Sequence, residues 1–223
     1  MKVAVLRFPG TNCEFDTQYA FEKLGHTTEL VWHEKTSLPS SIDLVVVPGG
    51  FSYGDYLRSG SIARFSPVMQ AVKRYADEGG KVLGICNGFQ ILTEAHLLPG
   101  ALKRNTGLHF ISKIQHLRVE NNDNAFLNRC QTGEVLYVPI AHADGNYFID
   151  EEGYQALERN GQILLRYCDE TGNLADVNGS VGSIAGICNE RKNVFGLMPH
   201  PERAIEALLG SDDGVKMLRG FEA

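Results

Sequence analysis

The sequence predicts an α/β protein: a mostly parallel, doubly wound sheet with helices on both faces and a small antiparallel region. Apolar runs alternate with segments of helical period through the first 95 residues. One run, Leu-Val-Val-Val at 44–47, is of the kind that a parallel sheet buries on both faces. Strands that alternate with helices predict right-handed crossovers, which bring the carboxyl ends of the strands to one edge of the sheet.

The first half of the chain supplies most of the predicted parallel strands. A continuous apolar run ends at Pro9-Gly10, and a helical stripe then runs from Phe15 to Leu24 before Gly25. Later, Val68, Val72, Tyr75 and Ala76 keep helical spacing up to Gly79-Gly80. Strands are expected at 3–8, 28–32, 44–47 and in the run that leads into Cys86, with helices at 15–24, 68–76 and beyond 86.

The second half predicts a change of architecture and then a return to the main sheet. Between about 102 and 138 the alternation with polar residues and turn signals predicts antiparallel strands or hairpins packed on that sheet. Strands are expected again near 184–188 and 194–198, followed by helices at 204–209 and 214–221. Because the sequence contains no linker, repeat or low-complexity tract, we expect one domain over 1–223.

Composition narrows the classes of function. The 223 residues carry a formal net charge of −6 without a cluster of lysine and arginine, which argues against nucleic acid as a partner. Five cysteines without a C-x-x-C pair argue against a disulfide framework or a structural zinc site and suit a reducing compartment. Neither a signal-peptide pattern nor a run of membrane-spanning length occurs, so we expect a cytoplasmic protein without membrane contact.

The most informative segment surrounds Cys86. An apolar strand pattern breaks at this cysteine, glycines stand two positions to either side, and helical spacing follows. This is the layout of a nucleophile elbow, a strand-to-helix turn that needs small neighbours and projects its central side chain above the sheet. Unpaired N–H groups at the helix N-terminus favour a thiolate, the nucleophilic form of cysteine.

Two other cysteines are alternatives. Cys188 lies in the same tetrapeptide, Gly-Ile-Cys-Asn, but the residues after it predict a hairpin turn between strands. Cys13 follows the first strand and opens a helix, yet its turn lacks the pair of flanking glycines. Cys130 and Cys168 have no accompanying motif. Cys86 is therefore the preferred nucleophile.

A nucleophilic cysteine needs a base and a group that orients the base. His200 lies between two prolines directly after a predicted strand, which favours an extended backbone. Residues two apart in an extended chain point to the same side, so Glu202 can hold the imidazole. The alternative is that His200 fills a surface turn and Glu202 is an ordinary acid at a helix N-terminus.

Attack on an amide carbonyl creates an oxyanion that backbone N–H groups must stabilise. One expected donor is the N–H of Asn87, the residue after the nucleophile. The other is in the strand-end turn Pro48-Gly49-Gly50, whose glycines let N–H groups approach a ligand. The alternative is a tight turn that uses glycine only for its positive φ.

These segments, in this order and spacing, resemble the class I, triad-type glutamine amidotransferases. The flanking strings narrow the resemblance to the glutaminase subunits of phosphoribosylformylglycinamidine synthases, over essentially the whole chain. The fold so implied has a flavodoxin-like core. The motifs are Pro-Gly-Gly at 48–50, Gly-Ile-Cys-Asn-Gly-Phe-Gln at 84–90 and Pro-His-Pro-Glu at 199–202, and the flanking strings are 7–14, 49–58 and 193–203.

The resemblance assigns roles to individual residues. It implies Cys86 as nucleophile, His200 as acid and base, and Glu202 as the orienting carboxylate. It further implies Gly50 and Asn87 as oxyanion donors. Substrate glutamine is expected to contact Gln90, His142 and Arg58. The chain departs from the family pattern at Asp144, where glutamate is usual, and at Asp176-Val177-Asn178, where Asn-Pro-Asn is expected.

The function so implied is hydrolysis of L-glutamine to glutamate and ammonia through a γ-glutamyl thioester. The ammonia passes to a separate synthetase subunit, which uses ATP and Mg²⁺ to make formylglycinamidine ribonucleotide, with a small accessory subunit also expected. No P-loop sequence occurs, so the ATP chemistry is expected in the partner and no cofactor or metal in this chain. The alternatives are a free-standing cysteine hydrolase or peptidase on the same fold, and a non-catalytic scaffold with a vestigial site.

Overall fold

The computed structural model describes residues 1–222, and within that range it contains a nine-stranded sheet, a two-stranded sheet and five α-helices. The strands are β1 Lys2–Arg7, β2 Thr27–Trp32, β3 Leu44–Val47, β4 Lys81–Ile85, β5 Ala101–Lys103, β6 Ile111–Val119, β7 Val135–His142, β8 Asn146–Phe148, β9 Ile163–Cys168, β10 Ile184–Cys188 and β11 Val194–Leu197. The helices are α1 Glu14–Lys23, α2 Pro67–Asp77, α3 Asn87–Glu94, α4 Glu151–Arg159 and α5 Asp213–Arg219.

The large sheet has a parallel part and an antiparallel part. Its strand order is β2-β1-β3-β4-β11-β10-β9-β6-β7. The first five strands pair in parallel, and the pairs from β11 onward are antiparallel. Strands β5 and β8 form the separate small antiparallel sheet. The predicted α/β fold with a parallel sheet and a small antiparallel sheet is confirmed.

The parallel part places the site. Strand β1 lies between β2 and β3, so the chain crosses to one side through α1 and to the other side after β3. Right-handed crossovers in opposite directions put α1 and α2 on opposite faces of the sheet. A crevice opens where the direction reverses, outside the carboxyl ends of the strands. The central strand β3 is wholly buried, as its bare valine run predicts.

Three regions differ from the sequence-based expectation. Strands β6 and β7 continue the main sheet rather than pack on it, because β6 offers one edge to β9 and the other to β7. The segment 204–209 is not an α-helix; its helical part is the short 3-10 turn Ala207–Leu209, closed by Gly210 at a φ of 109°. Helix α4 and strand β9 were not predicted, although all six residues of β9 are buried. Over residues 1–222, no helix combines the length and the apolar character needed to cross a bilayer.

Candidate active site

The turn between β4 and α3 has the geometry of a nucleophile elbow. Cys86 has a φ of 52° and a ψ of −105°, a conformation that costs a non-glycine residue about 1–3 kcal/mol. A Cβ on Gly88 would lie 1.8 Å from the Val47 carbonyl oxygen, and one on Gly84 would lie 2.8 Å from the Gly88 carbonyl. Both flanking positions therefore require glycine, for the steric reason that the sequence pattern suggested.

Segments from the carboxyl ends of four parallel strands meet at Cys86. Cys13 follows β1, the glycine pair follows β3, Cys86 follows β4 and His200 follows β11. A cavity of about 110 Å³ lies among them. It is lined by Asn12, Cys13, Gly50, Phe51, Cys86, Phe110, Ala141, His200 and Arg203.

The imidazole of His200 is held by Glu202. The Nδ1 atom of His200 lies 2.6 Å from the Glu202 Oε1 atom, and the two side chains are 1% and 2% exposed. The contact forms across the 3-10 turn Pro201–Arg203 rather than along the extended chain expected from the sequence, because Pro201 starts a turn directly after His200. The alternative of a surface histidine is inconsistent with this burial.

The other ring nitrogen of His200 is free to act. Nε2 of His200 and Oε2 of Glu202 are buried and make no well-formed hydrogen bond to any residue in 1–222. Burial by itself lowers the pKa of His200, but the charges of Glu202 and of the Cys86 sulfur outweigh burial and raise that pKa above the ordinary histidine value. In its protonated form the imidazole places a positive charge beside the Cys86 sulfur, and a neighbouring positive charge is what a nucleophilic cysteine needs.

Gly49 lies next to Cys86 and His200, the expected nucleophile and base. A Cβ on Gly49 would lie 2.8 Å from His200 Cε1, 3.1 Å from Cys13 Sγ and 3.5 Å from Cys86 Cβ. The Pro-Gly-Gly motif predicts an oxyanion donor within the glycine pair and indicates no separate role for Gly49. A side chain here would collide with the His200 ring and press on both cysteines.

Cys13 is the second thiol of the cavity. Its sulfur, a ring nitrogen of His200 and a carboxylate oxygen of Glu202 all lie within 4.8 Å of one another. Nη2 of Arg203 lies 3.0 Å from the same sulfur. Burial and the charge of Glu202 raise the pKa of Cys13 to about 12, so this group remains a thiol. A thiol is a poor nucleophile, which argues against Cys13 in that role.

The remaining thiols have the properties of core residues. Cys188 is fully buried at the end of β10, which forms an antiparallel hairpin with β11, as the residues after it predict. Burial raises the pKa of Cys188 to about 12 and the pKa values of Cys130 and Cys168 to about 11. All five cysteines are free and buried.

The two expected oxyanion donors flank Cys86. Asn87 is the first residue of α3, where helix N–H groups have no intrahelical acceptor. Gly50 has a φ of 145° and faces the turn after β1, where a Cβ would lie 2.7 Å from the Asn12 nitrogen. Position 50 therefore requires glycine for two reasons, its positive φ and the lack of space for a Cβ. Gly50 also lines the cavity.

The residues expected to contact glutamine lie outside the cavity lining. Gln90 is buried and donates from Nε2 to the Asp144 carbonyl oxygen at 2.7 Å. His142 is 3% exposed, and its Nδ1 lies 3.2 Å from Asn105 Oδ1. Arg58 is exposed and forms a two-bond ion pair with Glu94. Their roles toward substrate stay predictions.

Sequence reasoning missed several cavity residues. Phe110 and Ala141 come from the antiparallel part of the chain, and no local motif marks them. Cys86 Sγ lies 3.6 Å from the Ala141 carbonyl oxygen. Arg203 follows Glu202 directly, so only its position beside the triad could have drawn attention to it. A larger cavity of about 460 Å³ lies near the far end of α3, but its lining contains no cysteine.

A family model described as a CobB/CobQ-like glutamine amidotransferase domain matches residues 1–213. The chain belongs to this glutamine amidotransferase family. The family resemblance expected from the elbow, glycine and histidine motifs is therefore confirmed.

Relatives of this glutamine amidotransferase are similar over almost their whole length. A Sulfurimonas denitrificans protein is 66% identical over 221 residues, covering 99% of each chain, and a Wolinella succinogenes protein is 65% identical with the same coverage. Both are named phosphoribosylformylglycinamidine synthase subunit PurQ. A chain in the structure of PurLQS from Thermotoga maritima is 42% identical with a TM-score of 0.89, covering 99% of this chain and 97% of that one.

Proposed function

We propose that this glutamine amidotransferase is the glutaminase subunit of a phosphoribosylformylglycinamidine synthase. The observation that carries the chemistry is the buried His200–Glu202 pair beside a cysteine on a strained elbow. The names of the close relatives support the assignment of the larger enzyme. The reaction of this chain is hydrolysis of L-glutamine to glutamate and ammonia.

The geometry supports a sequence of steps that balances in atoms and charge. The Cys86 thiolate attacks the carboxamide carbon of glutamine, and the N–H groups of Gly50 and Asn87 stabilise the oxyanion. His200 then protonates the departing nitrogen, which leaves as ammonia and a γ-glutamyl thioester. A water molecule, deprotonated by His200, attacks the thioester and releases glutamate and the thiolate. Glu202 keeps the imidazole oriented and stabilises its charge.

The ammonia would be consumed by a partner. The name PurLQS of the Thermotoga maritima assembly lists two components besides its Q chain. We infer a synthetase partner that uses ATP and Mg²⁺ to convert formylglycinamide ribonucleotide to the amidine, and a small accessory subunit. The chemistry proposed for this chain uses its own side chains and no cofactor. Its five free thiols fit the cytoplasm, where cysteines stay reduced.

Replacement of the nucleophile tests the proposal. In the complex with the synthetase partner, Cys86→Ala is expected to reduce glutamine-dependent synthesis roughly 10⁴-fold or more, because no thioester can form. Synthesis driven by added ammonium salt should persist, because the partner is unchanged. The measurement is amidine formation with each nitrogen source.

The repeated tetrapeptide supplies the control. Cys188→Ala changes the same residue in the second Gly-Ile-Cys-Asn copy and should retain glutamine-dependent synthesis, as should Cys13→Ala. Mass spectrometry after treatment with diazo-oxo-norleucine, an alkylating glutamine analogue, should place the label on Cys86. Glutamine-dependent synthesis by Cys86→Ala at the native rate would exclude Cys86 as the nucleophile.

A further inference from the structure

The side chain of Asn87 joins two segments of the site that are far apart in sequence. Asn87 is 1% exposed, and its Oδ1 atom accepts a hydrogen bond from the Ser52 N–H at 3.1 Å. Ser52 is 2% exposed and stands two residues after Gly50. One residue therefore offers its own N–H at the elbow and holds, through its side chain, the segment that bears the other oxyanion donor.

The orientation of the Asn87 amide is itself fixed. Its Nδ2 atom donates to Gln90 Oε1 at 2.8 Å, and Gln90 Nε2 donates to the Asp144 carbonyl oxygen at 2.7 Å. With Nδ2 used in this way, Oδ1 is the atom that faces Ser52. Three segments, after β3, β4 and β7, are linked by this buried series of hydrogen bonds.

The segment after Gly50 requires such a contact. Tyr53, Asp55 and Leu57 have φ values of 53°, 53° and 69°, which are strained for residues with side chains. Between Gly50 and Ser52, the turn after β1 holds the backbone through the Phe51 N–H, which donates to the Gly10 carbonyl oxygen at 3.0 Å. A strained segment persists only where its surroundings fix it. Without Asn87, the Ser52 N–H would be buried without an acceptor.

We propose that the Asn87 side chain is a positioning residue that sets the Gly50 N–H against the Asn87 N–H in the oxyanion hole. This inference rests on the proposed glutaminase function. Asn87 acts here through Gly50 and not through contact of its side chain with glutamine. Its loss should therefore reduce stabilisation of the oxyanion and leave the reactivity of the Cys86 sulfur intact.

Two reactions of Cys86 separate these effects. Glutamine hydrolysis passes through an oxyanion, whereas methyl methanethiosulfonate reacts with the thiolate at a sulfur atom and has no carbonyl. In the complex with the synthetase partner, Asn87→Leu is expected to lower kcat for glutamine roughly 10- to 100-fold, because donors that are misplaced stabilise the transition state less. The rate of Cys86 modification, followed by mass spectrometry of its peptide, should be unchanged.

The chain offers a matched control for Asn87→Leu. Asn189 occupies the same place in the second Gly-Ile-Cys-Asn copy, and its Oδ1 accepts from the Asn193 and Val194 N–H groups at 3.0 Å. Asn189→Leu removes comparable backbone contacts away from Cys86 and should keep kcat. Asn87→Ser, whose side chain is too short to reach Ser52, repeats the test with a smaller residue in case leucine prevents folding.

Defined results would overturn the inference. An unchanged kcat in Asn87→Leu or Asn87→Ser would contradict it. An equal loss of glutamine hydrolysis and of Cys86 modification would also contradict it, because that result indicates a general disturbance of the site. If the wild-type complex hydrolyses glutamine and the variants fail these criteria, only the role of Asn87 is wrong. If the wild-type complex does not hydrolyse glutamine, the proposed function is wrong and the inference with it.

Discussion

Gly49 has no side chain at a point that adjoins both Cys86 and His200, the proposed nucleophile and base. The atoms nearest to its absent Cβ belong to His200, Cys13 and Cys86, so a side chain at this position would press on all three. Its backbone is not in the positive-φ region, unlike that of Gly50. Alanine at 49 would thus act through space and not through backbone strain.

Gly49→Ala is expected to lower kcat by roughly 100-fold, since a displacement of about 1 Å in a catalytic group has that effect. The added methyl group must displace His200, whose Cε1 would lie 2.8 Å away. The measurement is glutamine-dependent synthesis in the complex, with ammonium-dependent synthesis as the control for assembly. A native kcat in Gly49→Ala would contradict this prediction, because it would show that His200 can move aside and still function.

The segment that follows β7 is held by a buried polar network. Asn105 Oδ1 accepts from the Gly145 N–H at 3.0 Å, and Asn178 donates to the Gly145 carbonyl oxygen at 2.8 Å. His142 belongs to this network. Burial lowers the pKa of His142 to about 4, and the charge of His200 adds to the effect, whereas Asp144 opposes it. Nε2 of His142 is buried without a partner in residues 1–222.

This network predicts a pH dependence of stability. Between about pH 6.5 and 4 the unfolded chain binds a proton at His142 that the folded chain does not, so the free energy of unfolding falls as pH decreases. Once the pH is below about 4, the free energy of unfolding should have fallen by roughly 3 kcal/mol because of His142. His142→Asn, which can keep the contact with Asn105, should flatten the dependence in urea titrations at several pH values. Exposed His96→Asn serves as control, and an unchanged slope in His142→Asn would contradict the prediction.

At the scale of the whole molecule, the cavity is small for its substrate. About 110 Å³ lies among the triad segments, whereas ligand pockets usually measure about 300–1,000 Å³. The strained segment 53–57 follows Phe51, which lines the cavity, and exposes Tyr56 and Leu57, which are 72% and 81% accessible. We therefore expect the site to open further, with help from the partner, when it binds a complete glutamine molecule.

The isolated chain is accordingly expected to be a poor glutaminase. Adding the synthetase partner should raise glutamine turnover by at least roughly 10-fold, because binding energy from the partner can order a strained segment. Glutamate release is measured with and without the partner, and Cys86→Ala in the complex gives the background. Equal turnover in both states would count against a subunit that depends on its partner and would favour a free-standing hydrolase.

The sequence by itself determined the features that depend on local sterics and period. The elbow glycines, the buried valine strand and the hairpin after Cys188 follow from residues within a few positions of one another, and the structure contains each of them. Motif spacing likewise led to the amidotransferase family. Such features are predictable because clashes and hydrophobic periods act within one element.

Only the tertiary structure decided what meets at the cavity. Phe110, Ala141 and Arg203 reach Cys86 from distant segments, Cys13 lies beside His200, and the Asn87 side chain finds Ser52 across 35 positions. The attachment of β6 and β7 to the sheet edge was also not predictable. Contacts of this kind depend on how whole strands pair and pack. A local sequence pattern indicates which face of a strand or helix is buried, but it does not indicate which neighbouring element covers that face.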